Sequence, residues 1–338
     1  MLNLGPEADL RDISCHDLAP ETKGFAEALI WGLSQPMKAI PCRFLYDARG
    51  SALFERICDL EEYYPTRTEI GILRSCAGEI AQRIGPESQL IELGGASSLK
   101  AQILLDALER PSAYVPIDIS GEHLQSAARR LRLERPGLSI RAICADYAEP
   151  FDLPSAAASG RRLGFFPGST IGNLQPNEAV AFLADWAARL GPNAAMVIGV
   201  DLRKSRAILE PAYDDAQGLT ATFSKNILAR ANRELGGDFD LAMFAHRARY
   251  DEAEGRIEIH LESLVDQTVR VASRRFTLKA GERIHIEDSY KYSLTGFRDL
   301  ASKAGFTPAA VWTDPAQLFS VHYLQTPAEL QFPRDGSP

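Results

Sequence analysis

Residues able to do chemistry gather at five places in this 338-residue chain. At residues 90–100, Leu-Ile-Glu-Leu-Gly-Gly-Ala-Ser-Ser-Leu-Lys, an apolar run ends in two glycines and passes into a helical pattern with Leu99, Ile103, Leu104 and Leu108 on one side. Strand, tight turn and helix in that order can hold a nucleotide, because Gly94 and Gly95 permit close backbone approach and the helix start offers unpaired N–H groups. The G-x-G-x-x-G pattern is absent, and the same joint serves a purely structural purpose in many α/β proteins. Asp118 ends the next apolar run, roughly 25 residues on, where an acid can bind ribose hydroxyls or merely solvate a strand end. Asp146, after a third run, fits a place beside a purine ring or an exposed loop. The segment Pro-Gly-Ser-Thr-Ile-Gly-Asn-Leu at 167–174 is small, polar and Gly-rich. Finally, residues 42–69 are rich in Tyr and Arg for a linker; Tyr46, Tyr63 and Tyr64 could donate hydroxyls to a small ligand or pack between two lobes.

Bulk properties narrow the choice. A formal net charge of -8 and a pI near 5.4 argue against a nucleic-acid surface, which needs clustered Lys and Arg. Arg129, Arg130 and Arg132 read as a solvated helix face. No stretch approaches the ~20 apolar residues of a membrane span, and the N-terminus lacks a basic-then-apolar leader, so the expectation is a cytoplasmic protein with no membrane partner. Cys15, Cys42, Cys58, Cys76 and Cys144 are scattered without a C-x-x-C pair, and the histidines are dispersed, which predicts reduced thiols and no bound metal. Neither G-x-S-x-G nor G-x-x-x-x-G-K-[ST] occurs, which removes the serine hydrolase and P-loop readings.

The elements that must position these residues follow from periodicity. Residues 1 to 20 are poorly periodic and predict a surface arm; a helix follows through Phe25, Leu29 and Leu33. Strands are expected near 88–93, 113–117, 139–143, 162–166 and 195–200, most followed by a helical period, which predicts a parallel sheet whose ligands lie beyond the carboxyl ends of its strands. After 201 the rhythm changes. A helix carries Phe223, Ile227, Leu228 and Ala231, and strict alternation at Ile257, Ile259, Leu261 and at Ile284, Ile286 predicts half-buried antiparallel strands with a hairpin tip at 251–255. A helix with Phe297, Leu300, Ala301 and Ala304, capped by Thr295, and two apolar runs at 309–312 and 319–324 return the chain to the sheet edge as a strand pair. The length predicts about two domains. The fold expected is α/β, a Rossmann-like class I methyltransferase sheet with a terminal antiparallel strand pair and an inserted α+β substrate lobe. The sheet domain is assigned 67–200 and 287–328, the lobe 15–66 and 201–286.

The motifs Phe-Leu-Tyr-Asp-Ala-Arg-Gly-Ser-Ala-Leu-Phe at 44–54, Glu-Tyr-Tyr-Pro-Thr-Arg-Thr-Glu at 62–69, Glu-Leu-Gly at 92–94, Phe-Phe-Pro-Gly-Ser-Thr-Ile-Gly-Asn at 165–173 and Ala-Tyr-Asp-Asp at 212–215 resemble the L-histidine Nα-methyltransferase family of ergothioneine biosynthesis. The likeness runs from about 25 to 325. It implies an S-adenosylmethionine-dependent enzyme that methylates the α-amino group of histidine three times to give hercynine, with S-adenosylhomocysteine as the spent cofactor. On matching positions Gly94, Lys100, Asp118, Asp146 and Tyr147 would surround the cofactor. Asn173 would hold the substrate amine, Tyr63 and Tyr213 its carboxylate with Tyr46 nearby, and Glu287 and Ser289 the imidazole; Asn173 and Tyr213 would be the catalytic pair.

Each implied role has a physical rationale. Methyl transfer is an in-line displacement that needs a neutral amine lone pair, so alignment is the main task, and the Asn173 carboxamide oxygen can orient the amine. Tyrosine hydroxyls can hold a carboxylate without a fixed positive charge, and Glu287 favours a ring able to donate a hydrogen bond. The departures are the Gly-Gly-Ala-Ser turn, Asp288 as a second acid beside the imidazole pair, and Ile259 at a place associated with methionine in that family. Other readings are an N-methyltransferase for another aromatic amino acid such as tryptophan, a nicotinamide-dependent oxidoreductase, which lacks its G-x-G-x-x-G turn here, and a non-catalytic binding protein, against which the retained Asn173, Tyr213, Glu287 and Ser289 argue. A monomer is expected, because no long exposed apolar stripe is evident.

Overall fold

A computed structural model describes residues 13–17, 23–95, 99–155 and 160–329. Strand β1 (Ile13–Asp17) precedes helix α1 (Lys23–Ser34), the short β2 (Lys38–Ala39), and helices α2 (Ala48–Cys58) and α3 (Tyr64–Ile84). The alternating region holds β3 (Gln89–Leu93), α4 (Leu99–Ala107), β4 (Ala113–Asp118), α5 (Gly121–Glu134), β5 (Ile140–Cys144), β6 (Arg162–Phe166), α6 (Pro176–Leu190) and β7 (Ala195–Asp201). Next come α7 (Arg206–Tyr213), α8 (Leu219–Leu235), β8 (Phe244–Asp251), β9 (Arg256–Ser263), β10 (Gln267–Val271), β11 (Arg274–Leu278) and β12 (Arg283–Tyr290). The last elements are α9 (Leu294–Lys303), β13 (Thr307–Thr313) and β14 (Phe319–Gln325).

The large sheet has the order β1-β5-β4-β3-β6-β7-β14-β13. Its pairs are parallel from β1 to β7, and β14 runs antiparallel between β7 and β13. That order, with a reversed strand between the sixth parallel strand and the edge, is the class I methyltransferase arrangement read from the sequence. Every residue of β3 and of β7 is buried, because helices cover both faces. One face packs under α3, α4 and α5 through Ile80, Leu104 and Leu124, the other under α6 and α9 through Leu183, Trp186 and Phe297.

The second lobe is built on a four-stranded sheet, β2-β12-β9-β8. Burial alternates along β9, with Ile257, Ile259 and Leu261 inward, and α1 and α8 cover that face through Leu29, Leu33, Ile227 and Leu228. The hairpin tip at 251–255 forms as expected, closed by the Gly255 N–H donating to the Asp251 carbonyl at 2.7 Å. Among the described residues no helix is long and apolar enough to cross a membrane.

The structure departs from the sequence reading in four places. Residues 13–17 are not an arm but an edge strand, paired in parallel with β5. Strand β12 stays with the lobe sheet as far as Tyr290, past the boundary set at 286. Helix α9 is capped by Ser293, whose hydroxyl accepts the Gly296 N–H at 3.0 Å, rather than by Thr295, which lies inside the helix. The β10–β11 hairpin was not anticipated.

Candidate active site

The cofactor residues expected from the sequence lie along one edge, at or just past the carboxyl ends of the adjacent strands β3, β4 and β5. Gly94 takes φ +79°, and a Cβ there would meet nothing within 4 Å, so the turn leaves open space beside its backbone. Its N–H donates to the Ile117 carbonyl at 2.8 Å, which fixes the turn to the end of β4. Residues 96–98 of the Gly turn lie outside the described residues. Asp118 ends β4 and accepts the Ser120 N–H at 2.8 Å; Asp146 accepts the Ala148 N–H at 2.9 Å. Tyr147 packs edge-on to Phe166 and Phe182, with ring centroids 5.6 and 6.0 Å away. An open turn with acids on the next two strands fits a nucleoside with ribose hydroxyls.

Lys100, in the first turn of α4, pairs with the fully buried Glu69 at 2.6 Å. Glu69 also accepts the Gly168 N–H at 2.9 Å. One carboxylate thus ties the cofactor edge to the loop that follows β6, a link between α3 and that loop that the sequence reading missed.

The loop forms one wall of a cavity of about 540 Å³, counted out through its open mouth. Tyr46, Tyr63, Asn173, Tyr213, Glu287 and Ser289, the six residues expected around the substrate, all line it. They come from five separated segments. The single turn of 3-10 helix at Thr170–Asn173 rests on β12 so closely that a Cβ at position 172 would lie 2.6 Å from the Tyr290 carbonyl oxygen. Glycine is what lets Asn173 reach β12, and its side chain is hydrogen-bonded to Glu287.

A bulge between His285 and Glu287 decides which side chains of β12 enter the cavity. Before it, Ile284 stands opposite Leu261; after it, Glu287 and Ser289 stand opposite Ile259 and Ile257. The extra residue shifts the parity, so odd-numbered polar residues take over the face held by Ile284 and Ile286. Asp288, expected beside the imidazole pair, points to the other face, where it meets Arg256 at 3.2 Å and accepts from Gln175 at 3.1 Å. Ile259 lines the cavity, as do Phe54 and Phe223, which sequence reasoning did not single out. Burial pushes the Glu287 carboxyl up to about 7, against the opposing pull of Lys291 and of the hydrogen bond with Asn173. Burial likewise raises the Tyr46, Tyr63 and Tyr213 hydroxyls, which stay neutral at physiological pH.

The expectation that tyrosines hold the far end without a fixed charge is corrected by Lys291. Its ammonium, fully buried, donates to the Tyr213 hydroxyl at 2.6 Å and to Ser289 Oγ at 2.8 Å, and pairs with Asp201 at 2.8 Å. Asp201, at the end of β7, also accepts from the Tyr64 hydroxyl at 2.8 Å and from Lys204 at 2.5 Å. Burial works against its charge, but the two ammoniums outweigh it and hold the carboxyl below the usual range. Lys291 sits above its ordinary value: burial lowers it, and Asp201 and Tyr213 more than compensate. A sequence signal existed, since positions 287, 289 and 291 share a face by the two-residue period.

Comparison with known proteins identifies the family. A family model described as histidine-specific methyltransferase, SAM-dependent, matches residues 25–326. The histidine N-alpha-methyltransferase of Mycolicibacterium smegmatis is 41% identical over 295 residues, covering 86% of this chain and 91% of that protein. Its counterpart from Mycobacterium tuberculosis is 40% identical with the same coverage. Ergothioneine biosynthesis protein 1 of Schizosaccharomyces pombe is 29% identical over 313 residues, 88% of this chain and 40% of that longer protein.

Proposed function

The chain belongs to the histidine-specific, S-adenosylmethionine-dependent methyltransferase family, and from that premise we propose that it transfers three methyl groups to the α-amino nitrogen of L-histidine, giving hercynine in the first step of ergothioneine biosynthesis. The observation that carries this reading is the convergence of Asn173, Tyr213, Glu287 and Ser289 in one cavity, whose Gly168–Asn173 wall is tied through Glu69 to Lys100 at the cofactor edge.

The cofactor supplies an electrophilic methyl on a sulfonium sulfur, and Gly94, Lys100, Asp118, Asp146 and Tyr147 would hold it. The rest of the work is alignment. Asn173, fixed against β12, offers its carboxamide oxygen to an N–H of the amine and turns the nitrogen lone pair toward the strand ends. Tyr63 and Tyr213 donate to the carboxylate, and Tyr46 closes the pocket beside Phe54 and Phe223. Glu287 accepts from an imidazole N–H, and Ser289 stands beside the same ring. An indole has one N–H and no second ring nitrogen to meet the polar groups here, so imidazole is preferred over tryptophan's ring.

The reading includes a monomer in a reducing compartment such as the cytoplasm. Free thiols at Cys42, Cys58 and Cys76 accord with that compartment, and large exposed apolar residues such as Trp31, Leu133 and Leu264 are scattered along the chain.

The test is incubation of the purified protein with S-adenosylmethionine and an equimolar mixture of the twenty amino acids, read by mass spectrometry. Three methyls on histidine alone is the expected result. Methylation of another aromatic amino acid would overturn the pocket assignment, and no methylated amino acid would overturn the reading as a whole.

A further inference from the structure

Lys291 is nearly solvent-free, at 1% exposure, and its three N–H bonds are all directed to partners: Tyr213, Ser289 and Asp201. It has none left for a substrate, so it is no direct ligand. What it does is set the direction of the two hydroxyls in front of it. A hydroxyl has one proton and two acceptor positions. Lys291 fills an acceptor position on Tyr213 Oη and another on Ser289 Oγ, and these oxygens stand 3.0 Å apart. That separation is a hydrogen bond, so one of the two protons is spent between the hydroxyls; with Ser289 donating to Tyr213, the proton left for a ligand is the tyrosine's.

Charge reinforces direction. Two ammoniums, Lys291 and Lys204, meet the single Asp201 carboxylate, with the neutral Tyr64 hydroxyl completing its shell. The cluster carries one net positive charge when both lysines are protonated, and it stands directly behind the end of the cavity lined by Tyr213. Asp201 is itself pinned, its N–H donating at 2.9 Å to Ser169 Oγ in the same loop that carries Asn173. The amine-holding and hydroxyl-bearing walls thus share one buried anchor.

We propose that Lys291 is a positioning residue for the amino-acid substrate: acting through the Tyr213 hydroxyl, it makes the site select an amine that also bears a carboxylate. The inference rests on the histidine-methylating reading given above. The discriminating probe is histamine, which keeps the amine and the imidazole and lacks the carboxylate.

The test compares kcat and KM for L-histidine and histamine in the wild-type protein and in Lys291→Met. Loss of a charge-assisted hydrogen-bond network should raise the histidine KM by about 10- to 100-fold and leave histamine kcat/KM within about threefold, so that the preference for histidine collapses. In a Tyr213→Phe background the same change should have a much smaller effect, because the hydroxyl through which it acts is gone. Removing one partner of a buried pair can unfold a protein, so Asp201→Asn with Lys291→Met is made alongside and should lose the same preference. Equal losses for histidine and histamine, or an undiminished preference in whichever variant folds, would overturn the inference while the functional reading stands. A wild-type protein that methylates no histidine would overturn both.

Discussion

The cofactor edge and the amino-acid pocket are built in opposite ways. At the edge, each acid binds its own loop: Asp118 accepts from Ser120 and Asp146 from Ala148, contacts between residues two apart in sequence. In the pocket, contacts such as Lys291 to Tyr213 and Asp201 to Tyr64 join distant segments. The edge is held largely by local turns along a sheet, with the Lys100–Glu69 pair as a long-range tie, whereas the pocket is lined jointly by the loop after β6 and by residues of five separated segments. Changes at the edge should therefore weaken binding of one ligand, and changes in the pocket should disturb alignment and cost turnover.

The largest effect is expected for Asn173→Ala, which removes the group proposed to orient the amine. Turnover should fall by about 100- to 1000-fold with cofactor binding, measured by calorimetry, nearly unchanged. Equal turnover would remove Asn173 from the mechanism and blur the contrast. Gly172→Ala tests the same alignment without touching the amide. Its Cβ, 2.6 Å from the Tyr290 carbonyl oxygen, must push the turn off β12, and a displacement near 1 Å should lower kcat by about 100-fold. Rescue of that loss by raising histidine concentration would argue for a binding role alone. At the edge, Asp118→Ala should raise the cofactor KM by about tenfold and change kcat little. A collapse of kcat instead would show that edge and pocket are not separable.

The smallest effect sharpens the electrostatic side. Glu287 holds its proton up to about 7 in the folded protein, above its ordinary value of 4.5. The folded state therefore binds that proton more tightly than the unfolded chain. The associated stability is fully present below the unfolded value and is lost as pH rises through about 7. Melting temperatures of the ligand-free wild type, relative to Glu287→Gln, should fall by a few degrees between pH 5 and 7.5 and then level off. A flat difference would place Glu287 in a more solvated setting than the cavity implies.

The same contrast explains what could be read from the chain alone. The strands of the large sheet announced themselves because burial on both faces demands continuous apolar runs, as at Leu90–Leu93 and Ala195–Val200. Strand β1 escaped notice because Ile-Ser-Cys-His-Asp is mixed in character. Lys291 and Asp201 were illegible as a pair, since nothing local links residues ninety positions apart by a charge interaction. Asp288 stands beside the imidazole pair in sequence but on the other face of β12, after a bulge that sequence does not mark. The pocket residues were named from resemblance to a family, and their meeting in one cavity is what the fold adds.

The central claim is that this cavity presents the α-amine of histidine, with the imidazole held away by Glu287 and Ser289. Its most direct test is nitrogen-15-edited NMR of the product formed from uniformly labelled L-histidine and S-adenosylmethionine. The account predicts a single trimethylammonium resonance whose methyl protons couple to the α-nitrogen. Methyl signals coupled to a ring nitrogen would contradict it, because they would require the substrate to lie in the cavity the other way round.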